Sequence, residues 1–229
     1  MRNLIIVALV LAAGAASAQT PPLQPDVIVT SGEAVVRRAP DVAFVTVAVE
    51  TRAKSPRDAQ RTNAEAMTAV QQRLDQARVP RDAVRTLGYD IQQEFDFIAG
   101  KRVPREFVAR NSIEVRITEV GRVGELLDVA VQGGATTIGG VRFDLRDRES
   151  AEREALRLAV ADARARADAA ASGAGRSVDR VIKVEDVRDA GGSMPRPMMA
   201  MARAADATTP VEPGLIEVHA RVTLTAAMR

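Results

Sequence analysis

The spacing of hydrophobic and polar positions changes several times along the chain, and each change marks an element. Two apolar runs, at 27–36 and 42–49, are separated by Arg37-Arg38-Ala39-Pro40-Asp41. In the second, Val45, Val47 and Val49 fall on one side, as a half-buried strand requires. Pro40-Asp41 is a turn signal, so the two runs are expected to form a hairpin. Ser55-Pro56-Arg57-Asp58 then has the chemistry of a helix start: a hydroxyl to cap free N–H groups, proline in the first turn, and a carboxylate at the positive end of the dipole. Ala59, Ala66, Val70, Leu74 and Ala77 recur at helical spacing until Val79-Pro80 ends the pattern.

The clearest alternation follows. Tyr89, Ile91, Phe95 and Phe97 share one parity, with Gln92, Glu94 and Asp96 on the other. After Ala99-Gly100-Lys101-Arg102, Phe107, Ile113, Val115 and Ile117 share a parity opposite Arg110, Glu114 and Arg116. This predicts a long hairpin with one wet face, its aromatic side chains serving the core. Val123, Leu126, Leu127 and Ala130 form a short helix stopped by Gly133-Gly134. Val141, Phe143 and Leu145 alternate as a strand, and 148–172 is a long helix with Ala155, Ala159, Ala163 and Ala167 in one stripe, which lets its axis approach a neighbour closely. Residues 178–187 predict another strand. In the last one, Ile216, Val218, Ala220, Val222 and Leu224 oppose Glu217, His219, Arg221, Thr223 and Thr225. The order is ββαββαβαββ, an α+β fold of antiparallel hairpins with helices packed on one side. Strand 41–50 with Ser55 and its helix, and strand 141–145 with Ser150 and its helix, hint at a duplicated unit.

Composition narrows the chemistry. The 229 residues include no Cys, no Trp, one Tyr and one His. Disulfides, thiol nucleophiles, thiolate metal sites and any site needing two imidazoles within the chain are therefore excluded. Acidic and basic residues are interleaved, with a formal net charge of +2. A nucleic-acid binder would gather its cations into one stripe, so nucleic acid is not an expected partner.

The N-terminus reads as targeting information. Arg2, the apolar run 4–13 and Ala16-Ser17-Ala18 have the layout of a cleavable secretory signal, with cleavage after Ala18. The run is shorter than the roughly 20 residues a spanning helix needs, and without Cys there is no lipoprotein anchor. We therefore expect a signal peptide at 1–18, a flexible leader at 19–25, and one domain at 26–229, periplasmic and without a membrane span once processed. Residues 189–209 lack periodicity and read as a mobile loop rich in Met and Pro.

Several stretches resemble the SIMPL-domain family, which includes periplasmic immunogenic proteins of Gram-negative bacteria. They are Val29-Thr30-Ser31-Gly32-Glu33, Ala39-Pro40-Asp41-Val42-Ala43, Asn63 and Phe107-Val108-Ala109-Arg110-Asn111. Further matches are Gly134-Ala135, Ile138-Gly139-Gly140-Val141-Arg142-Phe143, the Ala163–Ala167 part of the alanine helix, and Pro210-Val211-Glu212-Pro213-Gly214. The chain departs from the family pattern at Ala34, where Gly is frequent, at Phe107, where Tyr is usual, and at Thr136, where Asn is frequent. The resemblance implies an envelope protein that self-associates and supports stress tolerance. It supplies no catalytic residues.

Candidate sites are few. His219 lies between Glu217 and Arg221 on one strand face, which suits a solvent-facing cross-strand contact better than catalysis. Gly173-Ala174-Gly175 follows a helix and so reads as a C-cap, since a phosphate cradle must precede one. Gly133-Gly134 and Gly139-Gly140 lack the Lys-Ser/Thr ending of a phosphate loop and read as turns. Met194, Met198, Met199 and Met201 could bind Cu(I) through soft thioethers or scavenge oxidants, or dock on a neighbouring subunit. The expectation is a non-enzymatic, homo-oligomeric periplasmic protein supporting envelope and oxidative-stress tolerance, without a cofactor and with envelope components as further partners. The alternative is a Met-loop soft-metal or oxidant-scavenging module, and the third reading a carboxylate-based hydrolase.

Overall fold

The computed structural model describes residues 26–187 and 209–229. Among these, seven strands and three α-helices follow the expected order: β1 (Val27–Arg38), β2 (Val42–Ala53), α1 (Pro56–Gln76), β3 (Val84–Ile98), β4 (Lys101–Ile117), α2 (Val123–Gln132), β5 (Thr137–Asp144), α3 (Arg148–Gly173), β6 (Val178–Asp186) and β7 (Ile216–Met228). The strands form two antiparallel sheets. One has the order β1-β7-β6 and the other β3-β4-β2-β5. The proposed signal peptide, its cleavage site at Ala18, the leader through residue 25, and Met194, Met198, Met199 and Met201 lie outside the described residues.

The fold is α+β, but its first two strands are not a hairpin. β1 pairs along its length with β7, from Val27 beside Ala227 to Arg38 beside Ile216. β2 lies in the other sheet between β4 and β5. With both edges of β2 occupied, no pairing edge remains for β1. The Pro40-Asp41 segment is instead a crossing between sheets. The Asp41 carboxylate accepts from the backbone N–H of Arg146 at 2.7 Å and from its guanidinium at 3.2 Å, tying the crossing to the start of α3.

Each sheet is covered by helix on one face. Against the four-stranded sheet, α1 buries Ala59, Met67, Val70 and Leu74 over Val45, Val47, Val49, Ile113 and Val115, with Leu126, Leu127 and Ala130 of α2 closing the same core. Ser55 caps α1 as expected, its hydroxyl accepting from Asp58 N–H at 3.1 Å. Against the three-stranded sheet, α3 lays its alanine stripe over β1 and β7, burying Ala155, Ala159, Ala163 and Ala167 with Val222 and Leu224.

That stripe meets a backbone contact on β1 with no room for a side chain. An added Cβ at Gly32 would stand 2.2 Å from the Ala159 carbonyl oxygen and 2.3 Å from the Ala163 nitrogen. Alongside, the Thr30 hydroxyl donates to the Ala163 carbonyl at 2.9 Å, and Glu33 N–H donates to the Asp162 carboxylate at 3.0 Å. The Thr-Ser-Gly-Glu stretch is thus a helix-docking surface on a strand.

The two suspected repeat units share a strand-then-helix order but differ in placement. α1 packs on its own sheet and is capped by Ser55, whereas α3 crosses to the other sheet and is capped by Asp147, whose carboxylate accepts from Ser150 N–H at 2.9 Å. Gly139-Gly140 is not a turn. Both residues lie inside β5, where Gly140 has φ +122° beside an irregularity in the pairing with β2, and a Cβ on Gly139 would press on Thr46.

Candidate functional site

The face of the four-stranded sheet away from α1 and α2 carries Phe44, Thr46, Ala48, Glu50 and Arg52 of β2, alternating with the buried valines. Register places these side chains opposite charged neighbours: Phe44 beside Arg116 and Arg142, Thr46 beside Glu114, and Glu50 beside Arg110. Cross-strand pairing turns these rows into contacts. Arg85 reaches Glu114 at 2.8 Å, Arg116 reaches Asp82 at 3.1 Å, and the Arg142 guanidinium sits 4.2 Å above the centre of the Phe44 ring.

At one end the pairs join into a network. Arg110 and Arg52 each approach Glu50 at 2.6 Å, and both reach Glu94, at 3.9 and 3.4 Å. The Arg110 hydrogen bond and charge hold the Glu50 carboxyl below the usual carboxylate range, and hydrogen bonding and attraction to the carboxylates raise both guanidinium pKa values. A carboxylate kept ionised by two guanidinium groups is a poor proton donor, so this cluster fixes strand geometry more readily than it moves protons. Thr136 adds a tie at the same end of β2: its hydroxyl accepts from Glu50 N–H at 2.8 Å and contacts the Ala48 carbonyl at 3.3 Å.

Beyond the network the hairpin leaves the sheet. The last pair between β2 and β4 is Ala53 with Phe107; from there to the tip, β4 pairs only with β3. About six residues of β4 make a two-stranded arm about 20 Å long. Its connection, Ala99-Gly100, has φ of 50° and 76°, the doubly left-handed turn suited to strand twist. Here the aromatic residues depart from the expected core role. Phe97 is 77% exposed and Ile98 60%; Tyr89 is also exposed, and Phe95 stacks beneath Arg102 with 3.5 Å from guanidinium to ring centre. Alternation predicts a strand, but it does not show that the neighbouring strand stops at residue 53. The consecutive apolar pair Phe97-Ile98 is the available sign, since a strand buried on one face would not place large apolar groups on both.

Asn63 is the one buried polar residue of the described chain. It lies on α1 with no exposed surface, and its amide donates to the carbonyls of Val49 at 2.9 Å and Ala109 at 3.0 Å, joining helix to both central strands. His219 faces solvent on β7, its Nε2 3.4 Å from Glu217, whose carboxylate also accepts from Arg37 at 2.8 Å and is thereby held below its ordinary pKa. Gly173-Ala174-Gly175 closes α3 as a C-cap, with Gly175 at φ +70° and Arg176 N–H returning to the Ala171 carbonyl. An open depression of 340 Å³ beside α1, lined by Gln71, Gln72, Asp75 and Arg81 among others, is a surface groove. Among the described residues no three His, Asp or Glu side chains cluster to hold a metal ion, and no helix is long and apolar enough to cross a membrane.

The sequence that builds these two helix-backed sheets matches a known family. Residues 28–226 match SIMPL, described as a protein of unknown function (DUF541), and the chain belongs to that family. Among its relatives is the 26 kDa periplasmic immunogenic protein of Brucella abortus (strain S19), 29% identical over 202 residues that cover 83% of this chain and 80% of the relative. The protein of the same name from Brucella melitensis biotype 1 is 28% identical with the same coverage. The uncharacterized protein YggE of Escherichia coli (strain K12) is 26% identical over 177 residues, covering 77% of this chain and 71% of YggE.

Proposed function

We propose that this SIMPL-family protein is exported to the periplasm, self-associates there, and supports envelope and oxidative-stress tolerance through contact and not catalysis. The observation that carries the self-association is the outer edge of the three-stranded sheet, where β6 pairs with no further strand among the described residues. Val181 and Val184 of β6 pair with Ala226 and Leu224, which are buried with the alanine stripe of α3, yet Val181 and Val184 are themselves exposed. An apolar floor that continues to a strand edge unpaired among the described residues suits a second copy of the chain. Periplasmic location draws support from the names of the Brucella relatives and from the Ala16-Ser17-Ala18 pattern.

Light scattering on protein recovered from an exporting cell tests assembly. A particle larger than one chain, shifted toward the monomer by Val181→Lys with Val184→Lys, is expected, and a strict monomer across micromolar concentrations overturns the reading. The N-terminus of the same material is expected at Gln19. A strain lacking the gene should lose viability in peroxide and regain it on complementation; equal survival removes the stress role.

A further inference from the structure

The geometry points to the tip of the β3–β4 arm as a docking element for an anionic phospholipid surface. The arm carries its apolar groups where nothing in the described chain covers them: Phe97, Ile98 and Val103 are all exposed. Register sets Phe97 beside Arg102 and Ile98 beside Lys101, so consecutive apolar residues lie on opposite faces of the ribbon, each with a cation opposite. A protein groove or sheet edge meets one face of a ribbon. An interface that surrounds the tip, as lipid does, accommodates both faces, with the long cationic side chains reaching back to the headgroups.

Charge favours the same occupant. Over the open sheet face the guanidinium groups are matched by carboxylates. Along the arm Glu94, Asp96 and Glu106 equal Lys101, Arg102 and Arg105 in number, but the carboxylates sit toward its base, where Glu94 is drawn to Arg52 and Arg110 and Asp96 is paired to Arg105 at 3.5 Å, so the two cations nearest the turn are Lys101 and Arg102. Among the described residues Lys101 and Arg102 have no carboxylate partner, and the Arg102 guanidinium rests on the Phe95 ring. An aromatic and an aliphatic side chain beside two unmatched cations is the chemistry that anionic interfaces attract. The length of the arm lets this end reach a surface before the body does.

The chain has no Trp, so Phe97→Trp places its single indole at the tip. Vesicles of phosphatidylcholine with phosphatidylglycerol are expected to shift its emission to the blue and to quench it when the acyl chains are brominated. Pure phosphatidylcholine vesicles should do much less. In sedimentation with the mixed vesicles, the pair Phe97→Ser and Ile98→Ser should weaken binding at least about tenfold, and Lys101→Glu with Arg102→Glu about fivefold or more for each cation. All variants share the parent N-terminus, so any contribution from it cancels, and light scattering should show assembly unchanged. Vesicle binding identical between parent and tip variants overturns the proposal. So does indole emission from Phe97→Trp that shifts with protein concentration alone, which would assign the tip to a second copy of the chain.

Discussion

Gly32 of β1 and Ala159 of α3 meet so closely that a methyl group between them would have to occupy the helix backbone, 2.2 Å from its carbonyl oxygen. Gly32→Ala therefore cannot be absorbed by rotating a side chain; α3 must lift from the sheet. We expect a loss of about 3 kcal/mol, read as a fall in melting temperature of roughly 6–12 °C for a chain of this size. Gly121→Ala, where an added Cβ meets nothing within 4 Å, is the matched control and should move the midpoint little.

Asn63 contributes a different kind of restraint. Replacing it with Leu keeps the side chain's approximate size but withdraws the donors from the Val49 and Ala109 carbonyls in a fully buried setting. The expected cost is about 3 kcal/mol, since each buried acceptor left unpaired costs about 1–3 kcal/mol. Thr68→Ala, which removes an exposed hydroxyl bond to Ala64 of the same helix, should cost well under half of that in the same chemical denaturation.

Acid should weaken the fold through its paired carboxylates. Arg110 holds the Glu50 carboxyl below the ordinary range, and the Arg146 backbone N–H does the same for Asp41. A group whose folded pKa is depressed stabilises the native state above its unfolded pKa and loses that contribution as pH falls through the folded value. The melting temperature should accordingly be level from neutrality to about pH 5 and decline below it. Glu50→Gln should start lower at neutral pH and decline less, because its charge is already gone; parallel curves for parent and variant would refute the assignment.

His219 should be dispensable for stability. Its imidazole is solvent-facing and only 3.4 Å at nearest from Glu217, which has Arg37 as a closer partner. His219→Ala is expected to shift unfolding by no more than about 0.5 kcal/mol, with assembly by light scattering unchanged.

Element order and identity are legible in the sequence because periodicity reports which face of a segment is buried. Partner choice is not. The alternation of Val45, Val47 and Val49 is the same whether β2 pairs with β1 or with β4, and sequence proximity favours the wrong one. The alanine stripe of α3 announces a close contact, and the family motif contains Gly32, but only the fold brings the two together across more than a hundred residues. The arm misleads for a related reason: Phe95 and Phe97 continue the parity of a core strand after the core itself has ended at Ala53. Gly139-Gly140 resembles a turn because glycine usually marks one, whereas here it accommodates a bend inside a strand against Thr46.

The pairing of β1 with β7 joins residue 27 to residue 227. A ribosome releases β1 well before β7, so the three-stranded sheet cannot close until residues 216–228 have been made. The strands β2 to β5 lie within residues 42–144 and are free to assemble first. For the interval between, β1 is a strand without its mate, an open pairing edge available to chaperones. A chain cut short before residue 216 would carry that unmet edge permanently, so β7 is the strand that closes the three-stranded sheet.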